Sequence, residues 1–229
     1  MDNENLITIT AIVLAAGLGS RFGGDKLLTP IQLNPGDQAL PLGVVSALNI
    51  KPYVDNVICV VRPSDLKLKQ QFASHGFTTI DNSDYRQGLS SSIITGVKAC
   101  NDNSHYLICL ADMPYILPCT YSTIIKLFMD NLDFKSKEIL EKKLIKSQDL
   151  NVNKKLGILR PVLLAGSKIE KNRSGHPVLF NKKYRQELLK ITGDNGAQPL
   201  IKKYGATEIQ LTDQGIVQDI DRPEDIKCS

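Results

Sequence analysis

Ile12-Val13-Leu14-Ala15-Ala16-Gly17-Leu18-Gly19-Ser20-Arg21-Phe22-Gly23-Gly24-Asp25-Lys26 is the stretch from which the rest of the chain can be read. An unbroken apolar run enters a turn that carries four glycines and two cations. Glycines let a polyphosphate approach the main chain, and successive backbone N–H groups form an anion-binding concavity where a strand ends. Arg21 and Lys26 add positive charge beside it. The plainer reading is a tight strand-to-helix connection. A dinucleotide-binding fingerprint is the sharper rival, because Gly17-x-Gly19-x-x-x-Gly23 is close to its spacing and Asp37 lies where a ribose-binding acid is expected. That motif should open into a long helix, which Pro30 and Pro35-Gly36 deny. No Gly-Lys-Ser/Thr follows the loop, so a Walker A loop does not fit either.

Further apolar, β-branched runs at Leu6–Leu14, Val57–Val61, Phe77–Ile80 and Tyr106–Ala111 alternate with helical spacing such as Ile93, Ile94, Val97 and Cys100. Continuous hydrophobicity in the strands is expected where helices cover both faces of a parallel sheet, so the first half reads as a doubly wound α/β unit. Later strands are expected at Leu156–Leu164, Pro177–Phe180, Thr207–Leu211 and Ile216–Ile220. Helices are expected at Lys182–Ile191, near Pro199–Tyr204, and after Arg222-Pro223-Glu224-Asp225, where Pro and two acids suit a first turn. Residues 131–156 turn Lys-, Glu- and Asn-rich and read as an exposed amphipathic helix or an insertion.

Two groups of carboxylates accompany the loop. The strand Tyr106–Ala111 stops at Asp112-Met113-Pro114, placing a carboxylate at the sheet edge where α/β proteins bind ligands. A hard carboxylate there suits Mg²⁺, which takes one or two protein carboxylates together with phosphate oxygens; the alternative is an Asp capping the next turn. In Val217-Gln218-Asp219-Ile220-Asp221 the two acids point to one face if the segment is a strand. Asp219 is preferred over Asp221 as the second metal ligand.

A chain of 229 residues with 42% hydrophobic and 23% charged residues is sized for one α/β domain spanning 1–229. The net charge of +4 is too small for a nucleic-acid footprint. Five cysteines show no metal-type spacing and read as reduced, buried packing residues of a cytoplasmic protein. The acidic and amide-rich start resembles no secretory leader, and no run is long enough for a membrane span.

Leu14-Ala15-Ala16-Gly17-x-Gly19-x-Arg21-Phe22-Gly23 with Lys26 resembles the signature of nucleotidyltransferases related to nucleotide-sugar pyrophosphorylases. The resemblance implies a three-layer α/β/α fold with a mostly parallel, Rossmann-like sheet of the nucleotide-diphospho-sugar transferase type. It also implies that Leu14, Ala15, Ala16, Gly17 and Gly19 wrap a triphosphate, that Arg21 holds its outer phosphates and that Lys26 holds the α-phosphate. Arg21, Lys26 and Asp112 are then the catalytic residues.

The motif order narrows this to the molybdenum cofactor cytidylyltransferase group: Asn82-x-x-Tyr85-x-x-Gly88 with Ser90-Ser91-Ser92, Asp112-Met113-Pro114, Arg160-Pro161, Gly175-His176-Pro177, Gly193-Asp194-x-Gly196-Ala197 and Asp219–Asp225. Gly88, Ser91 and Ser92 open a helix, where free N–H groups and hydroxyls are placed to meet a base or ribose; plain N-capping is the alternative. The resemblance implies that Gly175, His176, Pro177 and Asp194 face the acceptor. It further implies CTP as donor, Mg²⁺ as cofactor, a molybdopterin-type acceptor and a molybdoenzyme or its maturation factor as partner. Relatives that transfer guanylate tend to carry Ala-Gly-Gly where this chain has Ala15-Ala16-Gly17, which leans the comparison to cytidine with adenosine as the alternative. Tyr85, Gln198, Ile93-Ile94, the longer Ile31–Leu40 loop and the 131–156 segment depart from the group and bear mainly on the acceptor. Other phosphorylated acceptors (a sugar, polyol or phospholactate), a nicotinamide-dependent oxidoreductase and a non-catalytic cofactor-binding protein are the competing readings.

Overall fold

In the computed structural model the described residues are 8–19, 22–142, 157–164 and 173–227. They build a mixed eight-stranded sheet from β1 (Thr8–Leu14), β4 (Asn56–Val61), β5 (Thr78–Asp81), β6 (Ser104–Leu110), β7 (Ile158–Leu163), β8 (Arg173–Ser174), β9 (Val178–Phe180) and β10 (Thr207–Leu211). β2 (Pro30–Ile31) and β3 (Leu40–Pro41) form a separate antiparallel ribbon. The main order is β10-β7-β9-β6-β1-β4-β5, with β8 pairing β7. β1, β4, β5 and β6 are mutually parallel, as are β7 and β10, while β8 and β9 run antiparallel to their neighbours.

Both sheet faces are covered, which is why the central strands are apolar throughout. Along β1, Ile9, Ala11 and Val13 face one core layer, which they share with α1 (Leu42–Ile50), α2 (Leu66–Ser74) and α4 (Pro118–Lys142). Ile12 and Leu14 face the other, with α3 (Leu89–Ala99), α5 (Arg185–Leu188) and α6 (Gln198–Tyr204). The largest fully buried side chains divide in the same way, Phe72, Tyr121 and Phe128 on the first face and Tyr106 and Phe180 on the second. Burying each is worth roughly 1.5–3 kcal/mol. The three-layer, mostly parallel α/β/α fold expected of the chain is the fold it has.

Several local expectations are corrected. Ile216–Ile220 is no strand: a 3-10 turn at Gln214–Val217, whose Asp213 side chain accepts from the Gly215 N–H, leads into an extended segment. The terminal helix is a single 3-10 turn, Pro223–Asp225. Lys182–Ile191 holds only the four-residue α5 after another 3-10 turn. Cys59, Cys100 and Cys109 are buried, but Cys119 is exposed at the start of α4, where its side chain has no core to face; Cys228 lies outside the described residues. α4 runs into the Lys-rich stretch, and 143–156 lies outside the described residues. Among the described residues no helix is long and apolar enough to cross a membrane.

Candidate active site

The end of β1 is held from both sides. The Ala15 N–H donates to the Val60 carbonyl at 2.8 Å, and the Ala111 N–H donates to the Leu14 carbonyl at 3.1 Å. Ala15 and Ala16 are buried, so the glycine-rich turn starts rigidly at the C-terminal edge of the sheet. Gly19, at φ +58°, turns the chain in the left-handed region that glycine enters at low cost. The Phe22 N–H then donates to the Gly19 carbonyl at 3.0 Å, and Lys26 opens a 3-10 turn, Lys26–Leu28. Phe22 and Leu27 fasten the turn to the small core of Ile31, Leu42, Val45 and Ile220. Among the described residues no protein acceptor takes the amides of Gly17, Leu18 or Gly19. Arg21 lies outside the described residues.

Lys26 points inward with a side chain only 10% exposed. Its Nζ donates to Asp112 Oδ2 at 2.7 Å and lies 3.4 Å from Asp221 Oδ1. Asp112 is two residues beyond β6, and α1 grips that strand end: Ser46 Oγ donates to the Ala111 carbonyl and Asn49 Nδ2 to the Pro114 carbonyl, both at 2.8 Å. The C-terminal segment is fastened directly to it, the Ile220 N–H donating to the Asp112 carbonyl at 2.9 Å. Asp225 accepts from the Asp221 and Arg222 N–H groups at 2.9 and 2.7 Å, the first-turn role its position suggested.

Gly175-His176-Pro177 lies within electrostatic reach of Asp112 and Asp219. The His176–Pro177 bond is cis, and the His176 N–H donates to the Ile216 carbonyl at 2.8 Å. Burial pulls the His176 imidazole below its ordinary pKa, while the Ile108 backbone and the charges on Asp112 and Asp219 pull it back. Its Nδ1 is buried without a hydrogen-bond partner among the described residues.

The α3 start sits differently from the expectation of open donors. Asn82 Nδ2 donates to Ser91 Oγ at 2.9 Å and to Ser92 Oγ at 3.0 Å, and Ser91 Oγ donates to the Gly88 carbonyl at 2.8 Å. The Ser90 N–H is taken by the Gly193 carbonyl at 3.1 Å. The Ser91 hydroxyl and the Ser90 amide are therefore engaged within the turn as donors, while Ser92 Oγ takes part as an acceptor. Gly88, at φ +93°, lies against the 193–194 turn so closely that a Cβ on it would stand 2.3 Å from Asp194 Oδ1. Asp194 and Gly88, assigned from the sequence to acceptor and nucleotide, thus occupy one place.

A cavity of about 680 Å³ opens between the glycine-rich turn and the loop after β4, with Lys26, Asp112 and Asp221 in its wall, a size within the ordinary range for small-molecule sites. Its far wall carries Arg62, Asp65 and Lys67, which the sequence reading passed over. The signal was available: Arg62 follows β4 directly, at the ligand-binding edge beside β1. Its Nε donates to Asp65 Oδ2 at 2.7 Å, a bond that raises the guanidinium pKa. Among the described residues no group of three or more His, Cys, Asp or Glu could hold a metal ion. Two carboxylates on one ammonium fit instead an ion that completes its shell with phosphate oxygens.

An α/β sheet that gathers glycine-turn amides, cations and hard carboxylates at one edge belongs to the nucleotide-binding class. Residues 11–208 match the model of the MobA-like NTP transferase domain, and the chain belongs to that family of nucleotidyltransferases. Among solved structures it is similar to Rv0371c of Mycobacterium tuberculosis, at 19% identity over 96% of each chain with a TM-score of 0.72. The same protein in complex with manganese aligns over 90% of this chain and 88% of that one, at 18% identity and a TM-score of 0.63. A nucleotidyl transferase from Methanothermobacter, Mth528, matches at 19% identity over 95% and 94% with a TM-score of 0.65. The 4-diphosphocytidyl-2C-methyl-D-erythritol synthase from Anaerococcus prevotii matches at 15% identity over 96% and 94% with a TM-score of 0.59. A comparison with curated proteins finds no match.

Proposed function

We propose that this nucleotidyltransferase moves CMP from CTP to the phosphate of a molybdopterin-type acceptor in the cytoplasm and releases pyrophosphate. The observation that carries the reading is the Lys26 ammonium set between Asp112 and Asp221 beside the glycine-rich turn. The motif series from Asn82 to Asp225 supports the acceptor, and a structural neighbour whose name contains a cytidyl group supports CTP. The manganese complex of Rv0371c supports a divalent ion, assigned here to Mg²⁺.

In the reaction an acceptor phosphate oxygen bonds to the α-phosphorus as the bond to the β-phosphate bridging oxygen breaks, and pyrophosphate departs. An ionised phosphate monoester needs no base, so alignment and charge neutralisation are the protein's tasks. The Gly17–Gly19 amides and Arg21 hold the outer phosphates, and Lys26 meets the α-phosphate. Asp112 and Asp221 hold the ion, which supplies Lewis-acid neutralisation of phosphate charge when bound. Asp221 replaces Asp219 as second ligand, because Asp221 shares the ammonium with Asp112. Gly88, Ser91 and Ser92 border the nucleotide, and Gly175, His176, Pro177 and Asp194 border the acceptor.

Pyrophosphate release from each of the four triphosphates, with Mg²⁺ and either molybdopterin or sugar, polyol and lactyl phosphates, tests donor and acceptor together. CTP with molybdopterin should lead. Release led by another base or acceptor reassigns that half of the reading.

A further inference from the structure

We propose that Lys26 is a placeholder for the divalent cation: its ammonium occupies Asp112 and Asp221 until a metal–nucleotide complex arrives, and then passes to the α-phosphate. The inference rests on the assignment of those two carboxylates as metal ligands.

The geometry argues for it directly. At 2.7 Å from Asp112 Oδ2 and 3.4 Å from Asp221 Oδ1, the ammonium sits on oxygens that a hard cation would need. A small dication and an ammonium cannot share those oxygens at contact distance without strong repulsion. Lys26 is 10% exposed and Asp112 25%, so the pair is only partly screened by water. The lysine backbone is held by its N–H bond to the Gly24 carbonyl at 2.9 Å, while its long stem leaves the head group free to swing. A triphosphate lying along the Gly17–Gly19 amides gives the ammonium a second acceptor and draws it off Asp112 and Asp221. Metal and nucleotide must then bind cooperatively, each raising the affinity of the other by the same factor. A plain structural ion pair that only staples the C-terminal segment to the end of β6 predicts no gain in metal affinity when Lys26 loses its charge.

The test measures Mn²⁺ binding by the free-ion electron paramagnetic resonance signal, with and without the non-hydrolysable analogue α,β-methylene-CTP, in the wild type, Lys26→Met and Lys26→Arg. Wild type should bind Mn²⁺ on the order of tenfold or more tighter when the analogue is present, and Lys26→Met should bind Mn²⁺ alone on the order of tenfold or more tighter than wild type does. Lys26→Arg, which keeps the charge, should resemble wild type. If Lys26→Met binds Mn²⁺ alone no better than wild type, while wild type binds it with the analogue, the placeholder role is wrong and the metal assignment survives. If Asp112→Asn binds Mn²⁺ as wild type does under both conditions, the metal assignment itself is wrong and the placeholder falls with it. Should Lys26→Met fail to fold, equal Mn²⁺ affinity of the wild type with and without the analogue overturns the proposal by itself.

Discussion

Replacing Gly88 by alanine tests the joint between the start of α3 and the 193–194 turn. At φ +93° an alanine is strained by about 1–2 kcal/mol before any contact is counted. Its Cβ would stand 2.3 Å from Asp194 Oδ1 and 2.8 Å from both the carbonyl carbon and oxygen of Gly193. The Asp194 side chain can swing aside, but the Gly193 backbone cannot without lengthening the 3.1 Å bond from the Ser90 N–H. Losing that bond adds about 0.5–1.5 kcal/mol, for a total of about 1.5–3.5 kcal/mol. In a domain of this size each kcal/mol lowers the melting midpoint by roughly 2–4 °C, so a fall of about 3–14 °C is expected. Urea and thermal unfolding followed by circular dichroism supply the measurement. The double variant with Asp194→Ala should recover less than half of the loss, because φ and the Gly193 backbone are unchanged. A Gly88→Ala protein within about 0.5 kcal/mol of wild type would refute the close packing on which this joint rests.

Three other outcomes follow from the site and the core. Lys26→Ala and Asp112→Asn should each lower turnover on the order of a hundredfold or more at saturating CTP, and near-normal turnover would remove the residue from the mechanism. Asp221→Asn should cost more activity than Asp219→Asn, measured side by side at fixed Mg²⁺; the reverse order would restore Asp219 as second ligand. His105 is buried, packs edge-on to Phe128 at 4.7 Å and accepts the Lys182 N–H on Nδ1 at 3.0 Å, and burial with the Lys182 charge pulls its pKa down from 6.5 to about 4. Below pH 6.5 the unfolded chain takes up a proton that the folded chain refuses, so stability is lost as pH falls from 6.5 towards 4, by at most ~3 kcal/mol. Urea midpoints of His105→Asn should fall less steeply over that window than wild type, and parallel slopes would contradict the assignment.

Much of this architecture is written locally. The continuous run Thr8–Leu14 is a strand buried on both faces, and its Ile12 and Val13 side chains do divide between two core layers. The glycine-rich turn and Asp112 each come shortly after a strand end, so their positions at the sheet edge were legible. The partnership of Lys26 with Asp221 was not, since 195 residues separate them and no local pattern pairs them. Alternation in Val217–Asp221 imitates a strand. The competing signal was Asp213 two residues before Gly215, an N-cap that sets the 3-10 turn, followed by Ile220 sealing a small core instead of joining the sheet. Val178–Phe180 is too short to show its direction, which only its pairing with β6 and β7 reveals. The local pattern does not show that Ser91 and Ser92 accept from Asn82, because that residue sits nine and ten positions earlier, just beyond β5, nor that the Ser91 hydroxyl donates to the Gly88 carbonyl.

The central claim is that the turn after β1 grips a triphosphate opposite Asp112 so that its α-phosphorus is attacked. Following α-³²P- and γ-³²P-labelled CTP in parallel, with Mg²⁺ and molybdopterin, tests it most directly. The account predicts that α-label enters the acceptor while γ-label leaves in pyrophosphate, with both transfers falling on the order of a hundredfold in Asp112→Asn. Label from the γ-position in the acceptor, or undiminished α-transfer by Asp112→Asn, would contradict it.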